Sequence, residues 1–213
     1  MKTLILNGSP RADHGNTQLF IDHFQSGLTQ PLPVRYVSRE NPATLALEMT
    51  DYDTILLVMP LYIHAMPGMV MRLFEAMNRQ TTDHKKIGFI VQAGFIESST
   101  ARFLENYLTA LACRLNYTYL GTVIKGDAAS CSILPHFLFG KLFKQLKALG
   151  AYYEKNGSFN PDIVKKLRNP VHLSKFQLRL LESHLIKKLD QIAWNWILKR
   201  NGCFEKRFDQ PFL

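Results

Sequence analysis

The chain has 213 residues, 46% hydrophobic and 20% charged, a balance that suits one α/β domain with an extension and excludes a disordered polypeptide. No apolar run reaches the roughly 18 residues that span a bilayer, and the opening MKTLILNGSP has an apolar core of only Leu4 to Leu6, too short for a secretion signal, so the expected location is the cytoplasm. The formal net charge is +9, and residues 160–213, with eleven Lys/Arg against five acids, carry about +6 of it.

In chain order, residues 3–7 (TLILN) read as a short buried strand. Residues 16–27 place Leu19, Phe20 and Phe24 at helical spacing, with Gly27 near the end. Residues 33–38 (PVRYVS) form a second strand. Residues 53–60 (DTILLVMP) are nearly all apolar, the pattern of a central strand buried on both faces. A helix over 67–79 opens at Pro67, a favoured first-turn residue. Residues 86–94 are another buried strand, 98–115 a helix capped by Ser98 or Ser99, and 116–126 a fifth strand. A basic amphipathic helix over 137–157 ends at Asn156-Gly157. After a linker at 168–173, one long helix over 174–200 carries Leu178, Leu181, Leu185, Leu189, Ile192 and Trp196 in a single apolar stripe.

Alternating strands and helices, with strands that are continuous apolar runs, demand a parallel sheet covered on both faces. Five strands favour the flavodoxin-like order 2-1-3-4-5 over a six-strand dinucleotide arrangement. The expected fold class is therefore α/β and flavodoxin-like, with a C-terminal helical extension. The expected domains are residues 1–157 and a basic helical extension, 158–213.

Ligands of such sheets sit beyond the C-terminal ends of the strands, so three loops matter. The first is GSPRADHGNT, residues 8–17. It leads into a helix N-terminus, whose free N–H groups suit an anion. Gly8 and Gly15 let the backbone curl closely, Ser9 and Thr17 offer hydroxyls, Asn16 can cap the helix, and Arg11 can grip a phosphate with two bonds. It is neither a GxGxxG fingerprint nor a GxxxxGK[ST] loop. An ordinary strand–helix loop with a good cap has the same composition. The second loop, MPLYIHAMPG at 59–68, sets Leu61, Tyr62, Ile63, His64 and Met66 between two prolines, an apolar surface for a flat ring or a second subunit. The competing reading folds that loop under the next helix. The third, QAGFIESS at 92–99, offers Ala93 and Gly94 for close backbone approach and Phe95 as an aromatic. Cys113, Cys131 and Cys203 lie far apart, match no metal spacing and fit a reducing compartment.

These motifs, in this order, make the chain resemble the FMN-binding NAD(P)H-dependent oxidoreductases of the flavodoxin superfamily, nearest the NADPH-dependent FMN reductases and iron–sulfur flavoproteins. The resemblance covers roughly residues 1–125, and more faintly GTVIKGDAASCSILP and KNGSFNPDIVKKL. It implies that Ser9, Arg11, Asn16 and Thr17 cradle the FMN phosphate. It implies that Pro60, Leu61, Tyr62 and Ile63 line the isoalloxazine, and that Ala93, Gly94 and Phe95 touch its edge. The chain lacks the compact cysteine cluster of the iron–sulfur flavoproteins, which argues against such a centre, and GDAASCS lacks the glycines expected after strand five.

The leading functional expectation is an enzyme in which FMN takes a hydride from NADH or NADPH and passes electrons to a small acceptor: a quinone, an azo or nitro compound, or a flavin. No side chain need act as acid or base. A flavodoxin-like electron carrier is one alternative, disfavoured by size and a pI near 9.5. A non-catalytic module whose basic tail binds an acidic partner is another. Trp194 and Trp196 beside Lys and Arg could suit nucleic acid or an anionic membrane, but no recognised nucleic-acid motif is present, and a solvated basic face is the simpler reading. The uncovered loop at 61–66 and the C-terminal stripe together predict a homodimer.

Overall fold

The structure, a computed structural model, describes residues 2–77 and 85–210. Its strands are β1 (Thr3–Asn7), β2 (Val34–Tyr36), β3 (Thr54–Pro60), β4 (Lys86–Gln92) and β5 (Thr118–Lys125). They form one parallel sheet in the order β2-β1-β3-β4-β5, as the alternating pattern predicts. The register sets Leu57 between Leu6 and Phe89, so the three apolar strands share the centre of the sheet.

Successive residues of a strand face opposite sides, and the core divides accordingly. Leu4, Leu6, Ile55, Leu57, Ile87 and Phe89 pack on one side with Val70 and Leu73 of α3 (Gly68–Ala76) and Leu104 and Leu108 of α4 (Arg102–Arg114). Ile5, Leu56, Val58, Ile90 and Val123 pack on the other with Phe20, Ile21 and Phe24 of α1 (Asn16–Gln25) and Leu142, Leu146 and Leu149 of α5 (Gly140–Asn156). The short α2 (Pro42–Glu48) starts at Asn41, whose side-chain oxygen accepts from the N–H groups of Ala43 and Thr44.

Several boundaries differ from the sequence-based expectation. Pro67 is the cap residue before α3, not its first helical residue. Asn78 and Arg79, the expected end of that helix, lie outside the described residues. Ser98 and Ser99 make no side-chain cap; they sit in a 3-10 turn, Ser98–Ala101, that leads into α4. An additional helix, α6 (Pro161–Arg168), starts where the Asn160 side chain accepts from two backbone N–H groups and Pro161 takes the first helical position.

The chain divides into two compact units, one ending at His172 and one starting at Leu173. The first continues past residue 157, because Phe159 and Leu167 are buried in the core layer of α1 and α5. The second holds α7 (Lys175–Leu181) and α8 (His184–Arg200) in place of the single helix expected. Ser183 breaks the run: its hydroxyl accepts from the N–H of Ile186 and starts a new helix. Leu178, Ile192 and Trp196 of the expected stripe are exposed; the side chains of Leu185 and Leu189 lie outside the described residues.

Candidate functional site

The loops after β1, β3, β4 and β5 gather at the C-terminal edge of the sheet, around a cavity of about 240 Å3. The first loop is held from inside. Buried Asn7 donates to the Ala12 carbonyl (3.1 Å) and to Gln18 Oε1 (3.1 Å), and its own oxygen accepts from the Ser9 N–H (3.0 Å). Ser9 Oγ accepts from the Arg11 N–H at 3.2 Å. The left-handed residue of the loop is Ala12 (φ 48°), not a glycine. Gly8 is required for another reason: a Cβ there would lie 2.9 Å from Val70 Cγ2 and 3.0 Å from Met59 Cβ.

Asn16 does not cap α1. Gly15 holds the cap position, and Asn16, in the first turn, donates to the Ala128 carbonyl at 2.7 Å, tying the first loop to the segment after β5. The leading N–H groups of α1 have no acceptor within the helix, as at any helix start. The Arg11 guanidinium makes no ion pair or hydrogen bond among the described residues, whereas Arg39 is engaged by Asp13 of the same loop. Arg11 is the one charged side chain on the described lining.

The second loop turns sharply. Tyr62 and Ala65 exchange backbone hydrogen bonds of 2.9 and 3.0 Å, which forces Ile63 (φ 47°) and His64 (φ 65°) into the left-handed region. That conformation is costly for a β-branched residue. Ile63 is 94% exposed. His64 Nδ1 lies 2.9 Å from the Thr100 carbonyl, which can only accept; Nδ1 therefore carries the proton. The Leu61 N–H donates to the Gln92 carbonyl at 2.8 Å and joins this loop to β4.

Ser9, Arg11, Asn16 and Thr17 line one part of the cavity, Pro60, Leu61 and Tyr62 another, and Ala93 and Gly94 the rest. Ile63 and Phe95 lie apart from these, in an adjoining hollow of about 260 Å3 that also includes Leu61, His64 and Gly94. Sequence reasoning missed Gln92, Ala128 and Ala129, which complete the lining. Gln92 is 4% exposed, accepts from the Thr17 hydroxyl at 3.3 Å, and leaves its side-chain nitrogen without a partner. Its signal was a lone polar residue closing an apolar strand. Among the described residues no group of three or more His, Cys, Asp or Glu is placed to hold a metal ion, and no helix is long and apolar enough to cross a membrane.

Solved structures with the same architecture include an NADPH-quinone reductase from P. pentosaceus (19% identity, TM-score 0.57, covering 73% of this chain and 99% of that one). An FMN-dependent NADH-azoreductase from Bacillus anthracis, in complex with FMN, matches at 14% identity and TM-score 0.53, covering 72% of this chain and all (100%) of the other. General stress protein 14 from Treponema denticola, in complex with FMN, matches at 12% identity and TM-score 0.54, covering 73% and 98%. The fold is flavodoxin-like. No protein-family model matches the chain, and no curated protein matches it by sequence.

Proposed function

We propose that this chain binds FMN and acts as an NAD(P)H-dependent oxidoreductase, passing electrons from a nicotinamide nucleotide to a small acceptor such as a quinone, an azo or nitro compound, or a flavin. The observation that carries the reading is one cavity with two chemically distinct ends. One end has a partnerless guanidinium and a helix N-terminus, fit for a single phosphate. The other has Pro60, Leu61 and Tyr62 beside Ala93 and Gly94, fit for a flat apolar ring. The similar structures named for FMN and for quinone or azo reduction support the same reading.

The residues fit the group. Gly94 lines the cavity, and a Cβ there would meet no protein atom within 4 Å. The unpartnered Gln92 amide waits for a polar atom. Arg11 and the first turn of α1 would hold the phosphate, with the Ser9 hydroxyl beside them. Pro60, Leu61 and Tyr62 would bear on the ring. When bound, FMN supplies hydride acceptance and electron release itself, so the protein's task is positioning and exclusion of water. His64, its Nδ1 proton held by the Thr100 carbonyl, lines the adjoining hollow, where an acceptor would enter. Exposed Ile63 and Phe95 line that hollow, and exposed Phe103 meets the His64 ring edge-on; together they favour a second copy of the chain as its cover, hence a homodimer.

The test is anaerobic mixing of FMN-loaded protein with NADH and with NADPH, followed by a naphthoquinone. Loss of visible flavin absorbance with a nicotinamide nucleotide and its return with the quinone are expected. Absorbance unchanged by either nucleotide would leave an electron carrier and refute the enzyme.

A further inference from the structure

We infer that the Gln92 carboxamide binds the hydroxylated linker of the flavin nucleotide, the ribityl chain between ring and phosphate, and so selects flavins that carry this chain over the bare ring. The inference rests on the reading that the cavity holds FMN.

Gln92 closes β4, paired in register with Pro60 of β3. Its backbone carbonyl accepts from Leu61, at the apolar end of the cavity. Its side chain is bonded to Thr17, in the first turn of α1, at the anion end. The residue thus spans the two ends, with its carboxamide on the Thr17 side. It is almost wholly buried, and one of its two polar atoms has no partner. Buried polar groups are nearly always paired, and an orphan costs stability in the ligand-free protein. A ligand that pairs it recovers that cost.

The chemistry of the orphan narrows the ligand group. With the oxygen on Thr17, the free atom is an N–H donor. If the two atoms exchange places, the nitrogen donates to Thr17 and the free atom is an acceptor. A hydroxyl serves both cases, since it donates and accepts. A phosphate serves only the first, and it already has Arg11 and the α1 terminus. An apolar ring face serves neither. A chain of hydroxyls between ring and phosphate is the part of FMN that matches both the place and the chemistry.

Gln92→Met keeps an unbranched side chain of similar shape and removes both polar atoms. Dissociation constants for FMN, riboflavin and lumiflavin, read by flavin fluorescence on full-length ligand-free protein, test the inference. Lumiflavin has the ring without the ribityl chain, and riboflavin has the chain without the phosphate. Wild-type protein is expected to bind riboflavin roughly tenfold more tightly than lumiflavin. In Gln92→Met, FMN and riboflavin each weaken roughly tenfold, lumiflavin stays within about twofold, and the ligand-free melting temperature does not fall. Equal wild-type affinity for riboflavin and lumiflavin, a readout independent of any variant's folding, overturns the inference. So does a variant that loses all three flavins alike, or FMN alone. A wild-type chain that binds no flavin refutes instead the proposed function on which the inference stands.

Discussion

Arg11 is the one charged side chain on the described cavity lining. Its guanidinium makes no hydrogen bond or ion pair among the described residues, so replacing it breaks neither. Arg11→Ala should therefore weaken FMN by roughly 1.5–3 kcal/mol, the range for a charge-assisted bond, and leave the thermal melt of the ligand-free chain unchanged. Fluorescence titration beside a melting curve checks both halves. Ile63 shows the reverse balance. A β-branched residue held at φ 47° stores about 1–2 kcal/mol of backbone strain. Ile63→Gly should raise the ligand-free melting temperature while raising the acceptor KM, because the exposed side chain serves the hollow and not the fold. An unchanged KM would make Ile63 a bystander. Arg11 and Ser9 were legible as cavity residues because the loop after an apolar strand of a parallel sheet comes out at the edge where ligands sit. Gln92 was not. Its role exists only once Thr17 and Leu61, 75 and 31 positions away, are folded against it.

At the scale of elements, α1 and α5 meet at unusually short range. A Cβ on Gly150 would lie 2.0 Å from the Phe24 carbonyl oxygen, a backbone atom that cannot move aside. Gly150→Ala should destabilise the protein by about 1–3 kcal/mol or more in urea unfolding, with no direct effect on the flavin cavity. The same pair of helices stacks His23 on Phe143, with ring centroids 3.8 Å apart. Burial holds the His23 imidazole below its usual pKa of 6.5, with His136 adding to the effect and Asp22 opposing it. The unfolded chain therefore takes up this proton more readily than the folded one. Stability from this site is complete above about pH 6.5 and falls as the pH drops towards the folded pKa. Melting curves from about pH 7.5 to about 5.5 should show a smaller decline for His23→Phe than for the wild type. The β-strands were readable because buried parallel strands are continuous apolar runs. The break between α7 and α8 was not, because apolar spacing continues across it; the capping of Ser183 overrides the period. The missed α6 carried its signal in Asn160-Pro161, a cap followed by a first-turn proline.

Across the whole molecule, the proposed site belongs to the first unit, and four of the nine excess positive charges belong to the second. Residues 173–213 hold eight Lys/Arg against four acids, with exposed Phe176, Trp194 and Trp196. A chain ending at His172 should fold and retain flavin affinity, whereas one ending at Gly157 loses Phe159 and Leu167 from the core and should melt at lower temperature. Cys131 is buried, and burial pushes its thiol up, so Cys113 and Cys203 should alkylate first in the native protein. Sedimentation at micromolar concentration should find two chains per particle; a monomer would refute the homodimer. The proposed flavin nucleotide site is the cavity at the C-terminal edge of the sheet. Equilibrium titration of the ligand-free, full-length protein with FMN tests it most directly, read by quenching of flavin fluorescence. Saturation at one FMN per chain is expected, with FMN bound more tightly than riboflavin because Arg11 and α1 would hold the phosphate. No saturable quenching, or equal affinity for FMN and riboflavin, would contradict it.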